Sequence, residues 1–76
     1  MKKTCGRDGG CDLVLEHPSV SRFHAHIELA EDGVVWVLDD GTSNGTFLHR
    51  CDKWTRIGKA ILCIGDGILL GGFEVP

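Results

Sequence analysis

A chain of 76 residues, 42% hydrophobic and 25% charged, has room for one domain and buries proportionally little surface, which argues against a generous active-site cavity. Its formal net charge of -3 argues against a broad electrostatic grip on nucleic acid, which needs many basic side chains along one face, and no apolar run is long enough for a membrane-spanning helix. A small binding module is the expectation, with any anion site local.

Met1-Lys2-Lys3 imitates the basic start of a secretory leader, but Thr4, Cys5, Gly6, Arg7 and Asp8 follow where an apolar core is needed, so an intracellular location is expected. Cys5, Cys11, Cys51 and Cys63 show no Cys-x-x-Cys spacing. They are read as free, partly buried thiols ahead of disulfides or a zinc site, and neither a metal nor another cofactor is expected.

Short apolar or alternating runs follow at 13–15, 23–29, 34–38, 45–48, 60–64, 68–70 and 73–75, punctuated by glycine, and nowhere does a helical period last three turns. The pattern predicts an all-β chain of antiparallel strands. In 23–29, Phe23, Ala25, Ile27 and Leu29 fall on one face and His24, His26 and Glu28 on the other, as a half-buried strand requires. Glu31-Asp32-Gly33 supplies a hairpin turn. The apolar run from Val34 to Leu38, including Trp36, predicts a central strand covered on both faces. Ile64-Gly65-Asp66-Gly67-Ile68 is a second tight turn. Trp54 is read as a cover residue, and His17 and His49 as exposed turn residues that could line a groove.

Three polar loops separate the early strands, 6–12, 16–22 and 39–46, the first and last of them glycine-rich. They hold Arg7, Ser21, Arg22, Thr42, Ser43 and Asn44, the residue types that bind a phosphorylated side chain. An arginine fork can hold two phosphate oxygens at once, while hydroxyls and amides bind the rest. A Ser-His-Asp hydrolase built from Ser21, His24 or His26, and Asp39 or Asp40 is rejected, because Ser21 stands three residues before His24 on an entering strand with no glycine elbow. The aspartates are read as turn residues bonded to nearby backbone rather than as a Mg²⁺ site.

Gly6-Arg7, then Ser21-Arg22-Phe23-His24, then Asp39-Asp40-Gly41-Thr42-Ser43-Asn44-Gly45-Thr46-Phe47 stand in one order. Together with the ending Gly65 to Gly71, Phe73 and Val75, these motifs resemble a forkhead-associated (FHA) domain over about Thr4 to Val75. The resemblance implies a single β-sandwich domain over residues 1–76 whose gathered loops bind phosphothreonine in an extended peptide of a partner protein, a signalling interaction in which no bond is made or broken. By position, Arg7 and Ser21 would contact the phosphate, with Arg22 and Ser43 as further contacts. Asn44 would bond the peptide backbone, while Gly6, His24, Gly41, Thr42 and Gly45 would shape the site. Threonine would be preferred over serine through its methyl group, a contact of roughly 1–3 kcal/mol.

The sequence departs from that pattern in three places. Thr42-Ser43 stands where Ser-Thr is usual, with both hydroxyls kept. Leu48-His49-Arg50 replaces an Asn-Gly turn, which leaves Arg50 a candidate to face the peptide. Only Met1 to Cys5 precede Gly6-Arg7, where the family ordinarily carries two strands, so a sandwich lacking these edge strands is expected to dimerise or be marginally stable. The alternative reading is a phosphate-independent association or dimerisation module on the same fold.

Overall fold

The structure is a computed structural model and describes residues 1–75. Among these residues there are nine strands and no helix: β1 Lys2–Gly6, β2 Leu13–Val14, β3 Ala25–Leu29, β4 Val35–Asp39, β5 Thr46–Arg50, β6 Lys53–Ile57, β7 Lys59–Leu62, β8 Gly67–Leu70 and β9 Phe73–Glu74. Two sheets form, in the orders β2-β1-β3-β4-β7 and β6-β5-β8-β9. Every pairing is antiparallel except β1 with β2, where Cys5 faces Leu13. The all-β sandwich expected from the sequence is the fold observed.

A small core joins the sheets. Cys5, Leu15, Val20, Ala25 and Leu70 are buried together, with Ile27, Ile68, Phe73 and Val75 packed against them. Leu15 and Val20 lie at the start and the middle of the connection between β2 and β3, so apolar burial pins this connection at two points. That matters for function because Ser21 follows Val20 directly. The short run before Arg7 is itself a strand, β1. It pairs with β3 over Lys2 to Cys5 and delivers Gly6 to the loop end of the sandwich.

Four sequence expectations are corrected. Phe23 is 58% exposed, not on the core face: regular pairing begins at Ala25, and His24 takes the fully buried position before it. Val34 to Leu38 does give an interior strand, β4, but only its Val37 is buried, and Lys59 Nζ rather than a second layer covers Trp36, 4.5 Å from the ring centre. Leu48-His49-Arg50 is strand, and the reversal comes later, at Cys51 and Asp52, both left-handed with φ of 54° and 60°. This two-residue loop between paired Arg50 and Lys53 has the shape that Asn-Gly would favour. Arg50 accordingly turns away from the loop end: its Nη2 bonds Asp66 Oδ2 at 2.6 Å and the Ile61 carbonyl at 2.8 Å.

The cysteines are free, Cys5 and Cys11 buried, Cys51 and Cys63 exposed. Burial, with the neighbouring Cys11, pushes the Cys5 thiol up. His49 stacks on Trp54 with ring centres 4.6 Å apart, and His17 packs at 5.5 Å from Phe73.

Candidate functional site

β1 ends at Gly6, where a Cβ would lie 2.1 Å from the Arg22 carbonyl oxygen, so the strand end and the Ser21-Arg22 backbone touch in a way only glycine permits. Beyond it the Arg7 N–H donates to the Ser21 carbonyl at 3.0 Å and the Asp8 N–H to the Arg22 carbonyl at 3.1 Å. Arg7 Nε adds a bond to the Val20 carbonyl at 3.0 Å. The guanidinium is thereby aimed beside Ser21 by the buried Val20, while its two terminal nitrogens have no partner among the described residues. No carboxylate among those residues lies within ion-pair distance of Arg7 or Arg22. A positioned, exposed and unneutralised arginine is suited to an anion from outside.

His24 fixes the second loop to the first. Its Nδ1 accepts the Ser21 N–H at 3.0 Å, which assigns the proton to Nε2, and Nε2 donates to the Gly45 carbonyl at 2.8 Å. The ring is fully buried and both nitrogens are engaged by main chain. Neither is left to take a proton from the Ser21 hydroxyl, so the residues of the rejected triad are assembled here for architecture.

Asp39, at the end of β4, organises the loop that follows. Its Oδ1 accepts the hydroxyls of Thr42 and Thr46, each at 2.7 Å, and its Oδ2 accepts the N–H groups of Gly41 at 2.9 Å and Thr42 at 3.0 Å. Burial pushes the Asp39 carboxyl up, but these donors outweigh it and hold it below its ordinary value. Thr42 Oγ1 also accepts the Gly45 N–H at 3.1 Å, so its hydroxyl is turned into the loop. Ser43 and Asn44 are left exposed at the tip. Asn44 Nδ2 donates to the Ser19 carbonyl at 2.9 Å, and its Oδ1 has no donor among the described residues. Asp39 and Asp66 accept nearby backbone N–H groups, as turn aspartates should, whereas Asp40 Oδ1 instead pairs with the side chain of His26 across the sheet, 2.8 Å from Nδ1.

The sequence-predicted residues are therefore brought together: Arg7, Ser21 and Arg22 on one pair of loops, Gly41 to Gly45 on the next, with Gly6 and His24 beneath. Two participants were missed. Ser19 accepts Asn44 through its carbonyl, and its Oγ accepts the Gly72 N–H at 2.8 Å, tying the site to the final hairpin. Arg56, on β6, donates from Nη2 to the carbonyls of Thr42 at 3.3 Å and Ser43 at 3.2 Å. Both contacts span distant parts of the chain, and no local pattern announces them.

The chain is 39% identical to human kanadaptin over 80 aligned positions, covering 88% of this chain and 10% of that protein. It is 35% identical to the glycogen accumulation regulator GarA of Mycolicibacterium smegmatis, covering 95% of this chain and 42% of that one. The chain thus spans less than half the length of these curated relatives. Among solved structures, it matches the N-terminal FHA domain of S. cerevisiae Rad53p in complex with a phosphothreonine peptide, with a TM-score of 0.77, 33% identity, and coverage of 93% of this chain and 56% of that one. A structure from work on phosphothreonine-dependent FHA domain interactions matches with a TM-score of 0.84 and 27% identity, covering 96% of this chain and 71% of that one. The FHA domain family model matches residues 3–71, and the chain belongs to the FHA domain family.

Proposed function

We propose that the loop end binds phosphothreonine in an extended peptide and so recruits a phosphorylated partner protein. The observation that carries this reading is the Arg7–Ser21 arrangement: a guanidinium held through Nε against the Val20 carbonyl, its terminal N–H groups without a partner among the described residues, on backbone bonded to that of the partly exposed Ser21. A phosphate brings nearly two negative charges and three acceptor oxygens to that spot. Each charge-assisted bond contributes about 1.5–3 kcal/mol, so the unphosphorylated threonine loses most of the attraction. Arg22 and Ser43 serve as further contacts, and Asn44 Oδ1 accepts an N–H of the peptide backbone, fixing its register. The Rad53p domain that resembles this chain was solved with a phosphothreonine peptide, which supports the reading.

The test is a fluorescence-anisotropy titration with degenerate peptide pools containing phosphothreonine, phosphoserine or threonine. Binding in the order phosphothreonine, phosphoserine, then threonine is expected, and Arg7→Ala should weaken the first by at least about tenfold. Equal binding to phosphorylated and unphosphorylated pools would instead mark a phosphate-independent association module.

A further inference from the structure

We propose that Arg56 forms an acid-selective subsite next to Asn44, reading an aspartate or glutamate that flanks the phosphothreonine. This rests on the phosphopeptide reading above. In the pairing of β5 with β6, Arg56 faces Phe47, one residue from the start of β5, which puts it at the loop end of the four-stranded sheet. Arg7 comes from the five-stranded sheet, so the two cations reach the site from different sheets.

Arg56 is held in place although exposed. Its Nη2 bonds two successive carbonyls, Thr42 and Ser43, and its guanidinium lies over Gly45, where a Cβ would come within 2.7 Å of Nε. A guanidinium has five N–H donors, and Nη2 carries two of them. Those on Nε and Nη1 have no partner among the described residues. Nor does a carboxylate among them lie within ion-pair distance of Arg56, in contrast to Arg50, whose charge is met by Asp66 at 2.6 Å. The result is a preorganised, unneutralised fork pressed against the loop whose tip is Ser43 and Asn44. A peptide registered by Asn44 must pass beside it, and a carboxylate on that peptide completes the fork. The pair stays solvent-exposed, so its contribution is modest and bears on choice of partner more than on total affinity.

The experiment uses alanine-based phosphothreonine peptides with glutamate, or glutamine as control, placed at one position at a time on either side of the phosphothreonine. Wild-type protein should favour glutamate over glutamine by about two- to fivefold at one position. In Arg56→Gln that ratio should fall to about one, because the glutamate peptide loses more affinity than the glutamine and all-alanine phosphopeptides do, and Arg56→Lys should keep part of it. Thermal melts establish that both variants fold. The proposal is overturned if no position prefers glutamate, if the preference survives Arg56→Gln, or if Arg56→Gln weakens every peptide equally, which would make Arg56 a loop support only. Wild-type protein that binds none of the phosphopeptides would overturn the underlying reading, and this one with it.

Discussion

His24 Nε2 lies 2.8 Å from the carbonyl oxygen of Gly45, so one buried ring couples the loop carrying Ser21 to the loop carrying Asn44. Replacing it by alanine strands the Ser21 N–H, removes a donor from Gly45 and leaves a cavity. His24→Ala should destabilise the fold by about 2–4 kcal/mol in urea unfolding. A loss under about 0.5 kcal/mol would show that the loops hold one another without it.

Two glycines close together in sequence should respond unequally to alanine. At Gly6 a Cβ meets main-chain oxygen at 2.1 Å, and backbone cannot yield as a flexible side chain can, whereas at Gly9 nothing lies within 4 Å. Gly6→Ala is expected to cost about 3 kcal/mol or more and to weaken phosphopeptide binding by separating Arg7 from Ser21, while Gly9→Ala should stay within about 0.5 kcal/mol of wild type. Paired thermal melts and titrations distinguish the two.

The β5–β6 hairpin carries removable strain. Cys51 and Asp52 occupy left-handed conformations that cost a non-glycine residue free energy. The double change Cys51→Asn, Asp52→Gly should raise stability by about 0.5–1 kcal/mol without altering peptide affinity, because this hairpin lies at the end of β5 remote from Asn44. An unchanged or lowered melting temperature would argue against the strain.

Acid should unfold the protein through identifiable carboxylates. The hydrogen bonds from Arg50 and from the Cys63 N–H hold Asp66 down to about 2, and Asp39 and Asp12 are also lowered, the latter by the Thr4 N–H and hydroxyl. These groups bind protons more weakly folded than unfolded. Their stabilisation is therefore complete above the ordinary carboxylate value of about 4 and is lost as pH falls below it. The melting temperature should be flat above about pH 5 and drop below about pH 4, and Asp66→Asn should start lower at neutral pH and fall less steeply. An identical slope in the variant would remove Asp66 from the account.

The site was more legible in the sequence than the strands were. Gly6-Arg7, Ser21 to His24 and Asp39 to Phe47 keep their chemistry in short loops at fixed offsets, so their order alone exposes them. β6 leaves no strand signal in the sequence because Lys53 to Arg56 are all exposed and show no alternation, and β1 leaves none because Lys2-Lys3-Thr4 carries no apolar face. A period of two extended back past Ala25 points Phe23 inward, but the pairing that enforces that period stops at Ala25. Ser19 and Arg56 act through main-chain carbonyls and a glycine far away in sequence, contacts that only the folded chain creates.

Whether Arg7, Ser21, Ser43 and Asn44 form one phosphothreonine site is decided by amide chemical-shift mapping. Titration of a phosphothreonine peptide into ¹⁵N-labelled protein should move the amide resonances of Arg7, Ser21, Arg22 and Thr42 to Gly45 while leaving the Cys51-Asp52 turn unmoved, and the unphosphorylated peptide should move none. Shifts centred elsewhere, or the same shifts from the unphosphorylated peptide, would contradict the account.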